Sequence, residues 1–169
     1  MSLKSPALLL LAGLLSIQVP VAFGQEMEPR TSSLTAIDRT FMEDQRSSVD
    51  QLARTHLGRQ IRGDKENDLT VLQQLLDQRL VKADQVLLLQ AMGVVLGDLL
   101  SEELKMPWVV YEDKLGRSRA LRLGLTDHYL FPVTMISRRA EVGAQVDVRA
   151  IYQRAIAAIE PYMPPKPFQ

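Results

Sequence analysis

Five arginines, Arg117, Arg119, Arg122, Arg138 and Arg139, fall within two short segments of the chain. A guanidinium group is planar and permanently charged, and its fork of donors can grip a carboxylate or phosphate through two hydrogen bonds. Alternate residues of an extended strand share a face, so Arg117 and Arg119 point together while Arg122 points away. If the chain returns over a sheet after Phe131-Pro132, Arg138 or Arg139 joins one of these sets. A concave cluster of this kind holds an anionic ligand, a partner's acidic segment or a chain terminus. The competing assignment is internal pairing, of Arg138 with Glu141 along a helix or of Arg117 with Glu112 or Asp113 across a hairpin.

Other reactive groups are sparse. Of the two histidines, His56 falls at a helix end and His128 in a strand beside Asp127. Neither sits in H-E-x-x-H or a comparable ligand spacing, so no metal site is expected. Ser137, His128 and Asp127 supply the residue types of a hydrolytic triad, which is defined by geometry. The G-x-S-x-G elbow that would expose the nucleophile is missing. Glu102 and Glu103 are adjacent on a helix and face different directions, as solvated residues do. Gly93 and Gly97 lie inside a helix, where the backbone amides are already bonded, so they form no phosphate loop. No cofactor is expected. Cysteine is absent, which excludes thiol catalysis, disulfides and thiolate metal sites.

The chain start carries an address. Lys4 gives a positive n-region, Ala7 to Leu15 an apolar run, and Ala22 and Gly24 a small-residue cleavage site before Gln25. This pattern predicts a secretory signal peptide over 1–24, cleaved after Gly24, and a periplasmic location. The apolar run is shorter than the ~20 residues of a membrane-spanning helix, and no transmembrane segment is expected after cleavage. Lys4 is the only charge before residue 25, so the remaining chain has 20 acidic residues against 19 basic, a formal −1. That balance offers no general attraction for nucleic acid or anionic membrane.

The elements that must position the arginines follow from hydrophobic spacing. Residues 25–33 lack periodicity and read as a flexible leader. Leu34, Ile37, Phe41, Val49, Leu52 and His56 mark one face of a helix over about 34–57, stopped by Gly58. A second helix, capped by Asn67 or Asp68, runs to about Leu80. A third, from Ala83 or Asp84 to about Leu104, is apolar around most of its circumference and belongs at a domain centre, with Gly93 and Gly97 on one face for close packing. After Pro107 come three strands, Trp108–Glu112, Ser118–Leu123 and Asp127–Phe131, joined by tight turns as an antiparallel meander. Trp108 should be largely buried. A short helix over 134–141 and a last helix capped by Asp147 complete a single α+β domain spanning 34–162, before a proline-rich tail at 163–169.

The stretch Leu89-Gln90-Ala91-Met92-Gly93-Val94-Val95-Leu96-Gly97, then Trp108-Val109-Val110, Gly116-Arg117-Ser118-Arg119-Ala120-Leu121-Arg122 and Leu130-Phe131-Pro132-Val133-Thr134-Met135-Ile136-Ser137-Arg138-Arg139, resembles an uncharacterised bacterial family, domain of unknown function 3806. The likeness covers about 90–152, implies one shared domain, and brings no catalytic residues. The sequence therefore points to an exported cell-envelope protein acting as a non-catalytic binding or interaction module. Its partner would be an unidentified envelope protein or an anionic ligand. The alternative is a small periplasmic hydrolase with an unrecognised active site.

Overall fold

The computed structural model describes residues 28–164, so the stretch expected to be a signal peptide, the expected cleavage site and most of the proline-rich tail lie outside the described residues. In chain order the elements are β1 (Arg30–Ser33), α1 (Ala36–Leu57), α2 (Lys65–Asp77), α3 (Val86–Leu104), β2 (Trp108–Asp113), β3 (Gly116–Arg122) and β4 (Tyr129–Leu130). A 3₁₀ turn (Pro132–Thr134), α4 (Ser137–Glu141), α5 (Val148–Ile159) and a second 3₁₀ turn (Glu160–Tyr162) follow. The architecture is α+β, with one antiparallel sheet in the order β1-β2-β3-β4.

The sheet has four strands, against the three expected. The additional strand comes from the stretch read as a flexible leader, Arg30 pairing with Glu112 and Ser33 with Val109. Its residues are polar because an edge strand can be held by its backbone ladder and needs no apolar face. Arg122 fastens it further, its guanidinium donating to Thr31 Oγ1 at 2.8 Å.

Helix α1 spans nearly the expected residues but is turned on its axis. Its buried residues are Asp38, Met42, Val49 and Ala53, spaced on one helical stripe. Ile37 is 81% exposed and Phe41 39%, so the stripe drawn through Ile37, Phe41 and His56 is corrected. The reason is a buried charge. Asp38 faces inward because it answers two arginines of β3, a contact that hydrophobic periodicity does not register. The start of α2 is also earlier than expected, since Asp64 supplies the cap, accepting from the Asn67 N–H at 2.7 Å. Asn67 and Asp68 are instead buried in the first turn, where Asp68 accepts the N–H groups of Arg62 and Gly63.

Helix α3 runs through the core, with eleven of its 19 residues buried. Along it lies the 3₁₀ turn that follows β4. A Cβ built on Gly93 would stand 2.5 Å from the Val133 carbonyl oxygen, and one on Gly97 would stand 2.3 Å from the Trp108 ring. Both glycines are thus packing residues that let the backbone of the turn and the indole ring seat against the helix. Trp108 packs against the core with its ring over Gly97, and its indole N–H donates to Asp98 Oδ1 at 3.0 Å. No helix among the described residues is long and apolar enough to cross a membrane. The expected helix at 134–141 is two pieces, the 3₁₀ turn and α4, with Ile136 and Ala140 buried.

Candidate functional site

Strand β3 positions three of the five arginines, and strand parity divides them as the sequence implied. Arg117 and Arg119 lie on the face turned toward α1. Arg117 reaches Asp38 with two hydrogen bonds, Nη1 to Oδ1 at 2.8 Å and Nη2 to Oδ2 at 2.6 Å. Arg119 approaches the same carboxylate, Nη2 to Oδ1 at 3.1 Å, with its guanidinium 4.2 Å above the Phe41 ring. Asp38 also closes the capping box of α1. Its Oδ2 accepts from the Thr35 N–H and hydroxyl, and its own N–H donates to Thr35 Oγ1. The Arg117 hydrogen bond, aided by those from Thr35, outweighs burial and holds the Asp38 carboxyl well below the usual carboxylate range.

The internal pairings anticipated for Arg117 with Glu112 or Asp113 do not form; the carboxylate comes from Asp38 on α1. One buried carboxylate thus serves two guanidinium groups, leaving this corner cationic. Arg119 Nε is buried and has no hydrogen-bond partner among the described residues. Arg138, on α4, is exposed, and none of the ion pairs among the described residues includes it, so the expected pairing with Glu141 is absent.

These groups border one cleft of about 530 Å³. Arg117, Ser118 and Arg119 form one wall, with Tyr111, Asp113 and Leu115 from the β2–β3 hairpin. Phe131, Val133, Thr134 and Arg138 form the other. The small residues Ser118 and Ala120 let Tyr111 and Tyr129 meet across β3, ring centroids 4.9 Å apart, and Phe131 joins edge-on to Tyr111 at 5.2 Å. The cleft therefore combines three cations, one rim carboxylate and an aromatic shelf. That composition suits an anion carrying an apolar part.

Arg122 and Arg139 are not in this cleft. Arg122 donates to the Thr126 and Leu125 carbonyls and stacks over the Tyr129 ring at 5.6 Å, closing the β3–β4 turn. Arg139 donates to the Met135 carbonyl at 2.6 Å, bridging the 3₁₀ turn to α4. Both are structural arginines. The Ser137, His128 and Asp127 set is not assembled either. Ser137 is buried, the His128 ring stacks on Tyr162 at 3.7 Å, and the Asp127 side chain is 97% exposed. Sequence reasoning missed Asp38, although Thr35-Ala36-Ile37-Asp38 is a capping-box spacing and marked it as more than a solvated acid.

A second cleft of about 540 Å³, between α1, α2 and α3, is acidic. Its inner carboxylates are committed to the fold. Asp50 accepts the Ile61 N–H at 2.8 Å, Asp68 holds the Arg62–Gly63 turn, and Asp98 binds Arg46 and Trp108. Among the described residues, no group of three or more histidine, aspartate or glutamate side chains is placed to hold a metal ion.

Comparison with known proteins bears on the fold and the family. A crystal structure of a protein from Bacteroides thetaiotaomicron VPI-5482 superposes with a TM-score of 0.71 at 18% sequence identity. The match covers 79% of this chain and 49% of that one, so this chain spans about half the length of the structure it resembles. At that identity the likeness is one of fold. No curated protein matches the chain. The family model for a domain of unknown function matches residues 68–152, from the first turn of α2 to the middle of α5, and takes in both walls of the arginine cleft. The chain belongs to that family, Domain of unknown function (DUF3806).

Proposed function

We propose that this protein is a non-catalytic binding module and that the cleft between β3 and the 131–138 segment is its site, taking an anionic ligand. One observation carries the reading. Arg117, Arg119 and Arg138 face a single cleft, with the one buried carboxylate behind it shared by two of them and a buried donor on Arg119 left unpaired. An incoming carboxylate or phosphate would pair the exposed guanidinium of Arg138 and the outward part of Arg117. The aromatic shelf of Tyr111 and Phe131 would then contact the ligand's apolar portion.

The proposal includes the address read from the chain start: export through a cleaved signal and action in the periplasm. Intact-mass measurement of the exported product tests that part. A chain beginning at Gln25 supports it, and one retaining Leu8 to Leu15 overturns it.

Calorimetric titration with tricarballylate, a small tricarboxylate, and with inorganic phosphate tests the site. Arg138→Ala is the discriminating variant, because this side chain is exposed and has no ion-pair partner among the described residues, and its loss leaves the core untouched. A charge-assisted hydrogen bond contributes about 1.5–3 kcal/mol, so at least one of the two anions should bind wild type more than tenfold tighter than Arg138→Ala. Equal binding by the two proteins, or no binding by wild type, refutes the assignment.

A further inference from the structure

Hydrogen-bond direction along β3 shows what the cleft presents besides charge. The Arg122 N–H donates to the Pro107 carbonyl, toward β2, and the Leu123 N–H donates to the His128 carbonyl, toward β4. N–H and C=O groups alternate sides along a strand, so those of Arg117 and Arg119 point to the β4 side. But β4 pairs only through Leu121 with Leu130 and Arg122 with Tyr129. Continuing that register would set Pro132 opposite Arg119. Proline has no N–H to give, and the chain leaves the sheet there as a 3₁₀ turn. The edge of β3 from Arg117 to Arg119 therefore meets no strand among the described residues, and the cleft opens along it.

Resting on the anionic-ligand reading of this cleft, we propose that its ligand is an extended acidic peptide segment of another protein, which adds as an antiparallel or parallel strand to the open edge of β3. Main-chain bonds to an exposed edge supply affinity, and side-chain pockets on alternating faces supply selectivity. Here the two faces differ in chemistry. Arg117 and Arg119 lie on the inner face, whereas Tyr111 and Phe131 lie on the outer one. A strand at this edge alternates its side chains in the same way. The matching sequence therefore alternates carboxylate, apolar, carboxylate. The edge from Arg117 to Arg119 is roughly 10 Å long at ~3.3 Å per residue, enough for three paired residues. An edge left open beside apolar side chains is an aggregation hazard that natural proteins commonly blunt with charge. Arg117 and Arg138 would serve that role in the free protein and turn it into selectivity for acidic segments.

The probe is the pentapeptide acetyl-Ala-Glu-Leu-Glu-Ala-amide, titrated into the whole exported chain, with two N-methylated versions. One is methylated at leucine, the other at both glutamates. Strand addition predicts that one version loses binding tenfold or more, because its methyl groups face β3, while the other stays within about twofold of the parent. Bound peptide should also slow hydrogen exchange at the Arg117 and Arg119 amides and leave Ser118, already paired with β2, unchanged. If the parent peptide binds but both methylated versions bind alike and the two amides exchange as before, strand addition is wrong. If tricarballylate or phosphate binds through Arg138 and the peptide does not, the peptide proposal falls while the anion site stands. If neither the peptide nor either anion binds, both fall together.

Discussion

Adding one methyl group at Gly93 gives a test whose sign is set by the packing. In a solvent-facing helix, glycine to alanine gains about 1 kcal/mol in helix propensity. At position 93 the new Cβ would stand 2.5 Å from the Val133 carbonyl oxygen and 2.6 Å from that of Pro132. A carbon resting against a carbonyl oxygen sits near 3.3 Å, so the 3₁₀ turn must retreat by roughly 0.8 Å. Overpacking of this kind costs about 1–3 kcal/mol, and rigid backbone atoms place this case toward the upper end. The net expectation for Gly93→Ala is a loss of about 1–2 kcal/mol, or a fall in Tm of roughly 3–8 °C for a domain of this size. Urea denaturation and a thermal scan both read it. The displaced turn carries Val133 and Thr134 into the cleft wall, so tricarballylate binding should weaken as well. An unchanged or higher Tm would refute the close seating of the turn on α3, and with it the positioning of that wall.

Other expectations follow from the same geometry. Asp38→Asn removes the carboxylate from two guanidinium groups. Breaking a buried pair costs about 3–5 kcal/mol, and because the Arg117 side chain is 44% exposed the loss should lie at or below the low end, measured by urea denaturation. The Asp38 carboxyl is more acidic folded than unfolded, so its contribution is complete above about pH 4 and disappears as pH falls through the folded value; wild type should lose more stability than Asp38→Asn between about pH 4 and pH 2. Trp108→Phe loses the hydrogen bond to Asp98 and should cost about 1 kcal/mol by denaturant midpoint, whereas an unchanged midpoint would mean that bond is idle. Arg122→Ala should leave anion binding within twofold of wild type but loosen β1, seen as faster hydrogen exchange at the β1–β2 ladder amides.

Local rules made much of this fold legible. The apolar span of α3, Gly58 as a stop, Asp147 as a cap and the alternation of Arg117 and Arg119 against Arg122 are all short-range signals, and each appears in the structure. What escaped depends on contacts across long sequence separations. A polar stretch such as Arg30–Ser33 becomes a strand only because β2 offers it an edge. The rotation of α1 depends on Asp38 meeting arginines 79 and 81 positions further on, an electrostatic pairing invisible to hydrophobic spacing. The cleft itself needed one fact of each kind. The sequence showed the arginines and the Phe131-Pro132 junction, but only the strand register shows that Pro132 leaves Arg119 facing an open edge.

The place where an anion binds decides the function of the cleft. Titration of isotope-labelled protein with tricarballylate, followed through backbone amide resonances, locates the site residue by residue. The amides of Arg117, Ser118, Arg119, Thr134 and Arg138 should shift together with one dissociation constant, while amides of the acidic cleft near Asp50 and Asp98 stay in place. Shifts centred elsewhere on the surface, or no shifts at millimolar ligand, would contradict this placement.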